Sequence, residues 1–215
     1  MAAPDASITV LTMRASGSDL EARAVAAVLA DPVCHVLLNR LPLLGLTDWW
    51  LTAGAVFQNI WNAVEGHPAG HGVKDYDVFY FDGSDLTWEA EDRIIRASGE
   101  LFDDLGAQVE LRNEARVHLW HQAKFGVAAT PFTSARDAID AFASTTCCVG
   151  VTRGPEGLEC QRRCGRPEHG FGRRVGRARP QRWLAFAPPP SRGLAVDTSV
   201  LCQACYGNSP DRPGA

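Results

Sequence analysis

The chain has 215 residues, of which 46% are hydrophobic and 21% charged, enough for one domain with a true core or one domain with an appendage. No apolar run approaches the roughly 20 residues of a membrane span, and the start, Met1-Ala2-Ala3-Pro4-Asp5-Ala6-Ser7, lacks the basic opening and apolar stretch of a signal peptide, so the expected location is cytoplasmic. The net charge of −4 conceals a division: residues 1–151 carry 10 Lys+Arg against 20 Asp+Glu, and residues 152–215 carry 11 Arg, no Lys and 5 Asp+Glu.

After a flexible start over residues 1–17, Ser18-Asp19-Leu20-Glu21 has the form of a capping box, with Leu20, Val25, Val28 and Leu29 as the apolar stripe of the helix it opens. Asp31-Pro32 restarts the chain as N-cap and first helical residue, and this second helix runs to about Pro42. Residues 49–53 form a short buried strand broken by Gly54, followed by a helix with Val56, Ile60, Trp61 and Val64 inward and a stop at Gly66. A glycine-rich loop carries His67 and His71; a strand follows over 75–81. Thr87 caps a long helix with Ala90, Ile94, Ile95 and Leu101 on its apolar face and acids on its first turns and outer face. Residues 108–113 alternate as a strand, residues 116–125 form a short helix or turn, residues 135–142 a helix and residues 146–151 a buried strand. The order gives an α+β domain, close to α/β, with helices packed on one small sheet over residues 18–151.

Chemistry concentrates in Lys74-Asp75-Tyr76-Asp77-Val78. Alternate strand residues point the same way, so Asp75 and Asp77 leave one face and Val78 and Tyr80 the other. Two carboxylates held that close repel unless a cation joins them, and hard Mg²⁺ (or Mn²⁺) takes carboxylate oxygens while bridging to substrate phosphates. Solvated aspartates at a strand end are the plain alternative.

Three blocks in order carry a resemblance: Asp48-Trp49-Trp50-Leu51-Thr52-Ala53-Gly54-Ala55-Val56, Lys74-Asp75-Tyr76-Asp77-Val78-Phe79-Tyr80-Phe81-Asp82, and Val109-Glu110-Leu111-Arg112-Asn113-Glu114-Ala115-Arg116-Val117-His118-Leu119-Trp120. From about Ser18 to Val151 the chain resembles the bacterial nucleotidyltransferase-like family, a branch of the polymerase-β-type nucleotidyltransferase superfamily. The resemblance implies a nucleotidyltransferase palm: a five-stranded mixed sheet with helices on one side. It implies a nucleoside triphosphate substrate and a hydroxyl acceptor that the sequence does not identify. It places Gly54 in the motif that contacts the triphosphate, with Ala55 where the family has Gly or a hydroxyl-bearing Ser. It makes Asp75 and Asp77 the metal pair and calls for a third carboxylate on a neighbouring strand. Glu110 is the candidate for that role, and Asn113 is an equally reachable position. Lys74 and Arg116 are candidate phosphate partners, Arg116 by a bidentate contact. A palm that has lost catalysis but still binds a nucleotide or a protein is the alternative function, favoured by Ala55.

The remaining polar residues have plainer readings. His118 and His121 share a helical face without a third ligand, and Asn59 and Asn62 are minor candidates for ribose or base contacts. Beyond Val151 the periodicity of the sequence is lost, which predicts a low-order Arg/Pro/Gly-rich tail over 152–215. Cys160-x3-Cys164 and Cys202-x2-Cys205 have the spacing of two zinc half-sites, but the segment between them has no finger or ribbon pattern. Arg without Lys, with abundant Gly and Pro and scattered Cys, is what an out-of-frame reading of GC-rich coding DNA produces. The basic tail is therefore a weak argument for nucleic-acid binding, and no membrane partner is expected.

Overall fold

The computed structural model describes residues 17–142, 144 and 146–162. Its first helix, α1 (Gly17–Leu29), begins one residue ahead of the expected capping box, and the side chain of Ser18 lies outside the described residues. Val28 is buried, whereas Leu20, expected on the inner stripe, is 40% exposed. Helix α2 (Pro32–Arg40) starts as its sequence dictates: the Asp31 carboxylate accepts the Val33 N–H at 2.9 Å, and Pro32 occupies the first turn, where its missing N–H does no harm.

Strand β1 (Trp49–Thr52) is buried along its whole length and turns into α3 (Gly54–Glu65) through Ala53. Strand β2 (Asp75–Tyr80), helix α4 (Trp88–Phe102), strand β3 (Gln108–Asn113) and the short helices α5 (Val117–Phe125) and α6 (Ala135–Asp140) follow. Strands β4 (Val149–Gly154) and β5 (Gly157–Arg162) close the order. The five strands form one mixed sheet in the order β3-β2-β1-β4-β5, with β2 and β3 parallel and the other neighbours antiparallel. This is the α+β, mixed-sheet architecture the sequence predicts.

The two sheet faces are covered differently. On one, Trp49, Leu51, Tyr76, Val78, Tyr80 and Leu111 meet α1 to α4 in the main core, joined by Leu37, Leu38 and Val56. On the other, α6 packs across β1 and β4: Arg136 lies over the Trp50 ring at 4.9 Å, Phe142 meets Phe79 at 5.6 Å, and the first-turn N–H of Ala135 is accepted by Asp48 at 2.9 Å. Gly150 sits under this helix, where an added Cβ would come within 3.0 Å of Ile139 and 3.3 Å of the Leu51 carbonyl. Helices thus occupy both faces, rather than one as the resemblance implied.

Three further expectations change. The inner side of α3 is formed by Ala55, Val56, Phe57, Asn59 and Asn62, while Val64 is 74% exposed. On α4 one of the acids expected outside, Glu91, is buried. Strand β5 lies in the segment expected to be without order. It folds back through Pro155-Glu156, with Gly157 at φ 134°, a conformation L side chains rarely adopt. Arg153 fastens the hairpin to α2 by donating to the Leu38 carbonyl at 3.0 Å and to Asn39 at 2.8 Å; Gln161 reaches Asp140 at 3.1 Å. Among the described residues no single helix is long and apolar enough to cross a membrane.

Candidate functional site

Cross-strand register assembles the site. Asp77 faces Thr52 on β1 and Glu110 on β3, and Thr52 in turn faces Gly150, so these four share one row across one sheet face. One row further along, Trp50, Phe79 and Arg112 are neighbours; one row the other way, Asp75 faces Gln108. Period-two alternation places Asp75, Asp77, Glu110 and Arg112 on the same face. Exposure falls along the strand, from exposed Lys74 through half-buried Asp75 to Asp77, which is 3% exposed. A carboxylate that deep is costly without charge compensation.

The β1–α3 turn lies beside this row, since α3 begins two residues after Thr52. Ala53 adopts φ 52° and ψ −139° and is the one non-glycine at positive φ among the described residues. Such a backbone costs on the order of 1–3 kcal/mol and persists only where its surroundings enforce it. The strain turns the chain so that the first N–H groups of α3, at Gly54 and Ala55, start the helix at the edge of the carboxylate row. Gly54 and Ala55 are buried and form the first turn, and Ala55 brings no hydroxyl. Helix N-termini favour anions because their first N–H groups lack intrahelical partners.

The third-carboxylate candidate is restrained. Glu110 accepts from Gln108 Nε2 at 2.6 Å and from Arg112 Nη2 at 3.2 Å. It adjoins Asp77 in register, yet among the described residues no three His, Cys, Asp or Glu side chains gather into a group that could hold a metal. The donor set toward a cation is therefore two aspartates, all oxygen. That fits Mg²⁺ or Mn²⁺, which are commonly held by one or two carboxylates and complete their shell with water and substrate phosphates.

Other expected contributors are placed elsewhere. Arg116 is buried on the opposite side of the sheet, ion-paired with Glu91, donating to the Leu86 carbonyl at 3.0 Å and lying over the Trp88 ring. Its guanidinium is engaged in holding α4 to the end of β3, which removes it from the phosphate partners. Asn113 is likewise structural: its side chain accepts from Asp82 and Ala115 N–H groups and donates to the Asp82 carbonyl, leaving Glu110 as the carboxylate position. Asn59 and Asn62 hold the 67–73 loop rather than facing a ligand, through Gly70 N–H at 2.7 Å and the His71 carbonyl at 2.9 Å. His121 contacts the Val127 carbonyl, and His67 and His71 stack on each other. Cys160 lies on β5; Cys164, Cys202 and Cys205 are outside the described residues.

A buried network behind β2 has no counterpart in the sequence reading. Asp31, already the cap of α2, also accepts from the Tyr76 hydroxyl at 3.1 Å and from Asn59 Nδ2 at 3.0 Å, and the Cys34 thiol lies at 3.6 Å. Asn59 also donates to the Ala55 carbonyl at 2.8 Å. The network joins the first turn of α3 to the strand segment between the two aspartates. Burial, then the Asp31 charge, push the Cys34 thiol and the Tyr76 phenol well above their ordinary values.

Residues 39–166 match the family described as nucleotidyltransferase, and the chain belongs to that family. A solved structure, described as an NMR structure that reveals a CCA-adding enzyme head domain, is 30% identical with a TM-score of 0.53, covering 66% of this chain and 71% of that one. No curated protein matches the chain.

Proposed function

We propose that the protein transfers a nucleotidyl group from a nucleoside triphosphate to a hydroxyl of an acceptor, in the presence of Mg²⁺ or Mn²⁺. The observation that carries this reading is the row Thr52–Asp77–Glu110, with Asp75 beside it and the α3 N-terminus at its edge. Asp75 and Asp77 would hold the divalent ion, which supplies charge neutralisation at the phosphates when bound. The N–H groups of Gly54 and Ala55 would take phosphate oxygens at the strained turn. Lys74, exposed at the start of β2, lies close enough in sequence to the pair to meet the substrate at the mouth of the site.

In the reaction the acceptor oxygen forms a bond to the α-phosphorus, and the bond from that phosphorus to the α,β-bridging oxygen breaks. Pyrophosphate departs. The acceptor's proton passes to the Glu110 carboxylate, which Gln108 and Arg112 orient. Equilibrium binding of each of the four nucleoside triphosphates to the full chain, with and without Mg²⁺, tests the reading. Metal-dependent binding of at least one is expected; failure of all four in Mg²⁺ and in Mn²⁺ overturns it.

A further inference from the structure

Arg116 is committed to Glu91 and Arg112 to Glu110, so the charge of a triphosphate calls for a further cation. Arg136, on the helix that covers the aspartate face, is exposed and takes part in none of the ion pairs among the described residues. Its guanidinium lies 4.9 Å from the centre of the Trp50 ring. That ring in turn reaches the carboxylate row: Gly150 belongs to the row, and a Cβ added there would meet Trp50 Cε3 at 3.3 Å. Trp50 therefore leans over the strand pair that carries Thr52 and Gly150, and Thr52 is the neighbour of Asp77. The platform is fixed. Trp50 is 5% exposed, its Nε1 donates to Asp48 at 3.2 Å, and the other Asp48 oxygen accepts the Ala135 N–H, so one carboxylate holds both the ring and the helix bearing Arg136. A cation–π contact engages the face of a guanidinium and leaves its in-plane N–H donors for another acceptor.

The side of the sheet decides which acceptor. An in-line displacement at phosphorus sets the attacking and leaving oxygens on opposite sides. Glu110, the proton acceptor of the proposed reaction, is on β3, and the aspartate pair is on β2. The leaving group then lies toward β1, the strand that carries Trp50 and runs into the turn at Gly54. We propose that Arg136, seated on Trp50, binds the terminal phosphates of the triphosphate and the pyrophosphate that departs. This rests on the nucleotidyltransferase reading and deepens it by assigning a cation to the leaving group. The Gly54 and Ala55 N–H groups and Arg136 serve the same group from the same strand, the turn with neutral donors and the arginine with a full charge. When the α-phosphorus–oxygen bond breaks, its electron pair stays on pyrophosphate, and the guanidinium neutralises the added charge through the planar contact it favours with phosphate.

The test is calorimetric titration of the full chain in Mg²⁺ with pyrophosphate, non-hydrolysable analogues of the four nucleoside triphosphates, and the matching monophosphates. It compares the natural protein with Arg136→Gln, Arg136→Lys, Asp77→Asn and Arg96→Gln, the last removing an equal charge from α4 on the opposite face. Loss of one charge-assisted contact predicts about tenfold weaker binding of pyrophosphate and of the analogues in Arg136→Gln. Monophosphate binding should stay within about twofold, and Arg96→Gln should match the natural protein, by the same arithmetic. Arg136→Lys keeps the charge without the fork, so a loss of about threefold is expected; this variant decides the matter if Arg136→Gln fails to fold. Pyrophosphate and analogue binding unchanged in the Arg136 variants while Asp77→Asn is weakened overturns this assignment alone. So does a loss that Arg96→Gln reproduces or that the monophosphates share. Absence of analogue binding in the natural protein overturns it together with the nucleotidyltransferase reading.

Discussion

Glu110 faces Asp77 across the parallel β2–β3 pair, and it is held there by Arg112 from the same strand. A residue two positions away on one strand face is the shortest route by which a cation can orient a candidate base. The pairing predicts a division of labour. Glu110→Gln should leave triphosphate binding within about threefold while lowering transfer by about 10²–10⁴, the usual contribution of a positioned proton acceptor. Binding by calorimetry and turnover by pyrophosphate release separate the two. A loss confined to binding would move Glu110 from proton transfer to substrate contact.

The turn at Ala53 predicts the order of two variants. At φ 52° a glycine is unstrained, so Ala53→Gly gains the strain of about 1–3 kcal/mol and loses roughly 0.8 kcal/mol of methyl burial and 0.5–1 kcal/mol of chain entropy. The net lies between about 0.8 kcal/mol lost and about 1.7 kcal/mol gained, so Ala53→Gly changes stability little. Ala53→Val adds a β-branched side chain to the same backbone in a buried position and should destabilise by about 3 kcal/mol or more. Chemical denaturation of both variants measures the difference.

Alkaline pH should unfold the protein through its buried thiol and phenols. Cys34, Tyr76 and Tyr80 all have raised proton affinities in the fold, chiefly from burial. For each, the unfolded chain releases its proton first, so unfolding is favoured once pH exceeds the ordinary values of 9.0 for the thiol and 10.0 for the phenols. The stabilisation is fully present below those values and is lost as pH rises above them. Melting temperature should fall from about pH 9 upward, and Tyr76→Phe should flatten the fall while lowering the plateau through loss of its bond to Asp31. A native Cys34 thiol that reacts quickly with an alkylating agent at pH 8 would contradict the burial on which this rests.

Asn59 serves four partners at once, the Asp31 carboxylate, the Cys34 sulfur, the Ala55 carbonyl and the Gly70 N–H, so Asn59→Ala removes the acceptor of the Gly70 N–H and one donor to Asp31. A loss of about 1–3 kcal/mol in total is expected. Hydrogen exchange should speed at Gly70 and across the first turn of α3 before it does in β4.

Much of this was legible in the chain. Asp31-Pro32, Thr87 and Gly66 mark helix ends through local chemistry, and each is found where expected. Asp75 and Asp77 share a face because strand alternation is a property of three consecutive residues. What depends on register was not legible. Glu110 was placed on a strand, but only the parallel pairing with β2 sets it opposite Asp77 rather than Asp75. Arg112 was accessible by the same alternation that selected Glu110, two positions on. The Arg116 ion pair was not legible either, because its partner, Glu91, is on a helix whose acids all look solvent-facing from sequence. Strand β5 was hidden because its alternation rests on only two apolar residues, Leu158 and Cys160, after a Pro-Glu-Gly turn. Its pairing with β4 and the family match to residue 166 show sequence that belongs with the domain beyond Val151, where periodicity first weakens.

The central claim is that Asp77 belongs to a metal site and not to the scaffold. The most direct measurement is Mn²⁺ titration of the natural protein and Asp77→Asn, in the presence of a non-hydrolysable triphosphate, alongside their metal-free melting temperatures. A buried carboxylate beside Asp75 is relieved when one charge is removed, so Asp77→Asn should melt at an equal or higher temperature without metal. Its Mn²⁺ affinity should fall about tenfold or more, consistent with loss of one of two protein ligands. If Asp77→Asn instead melts several degrees lower and binds Mn²⁺ unchanged, Asp77 is a structural acceptor and the catalytic account is contradicted.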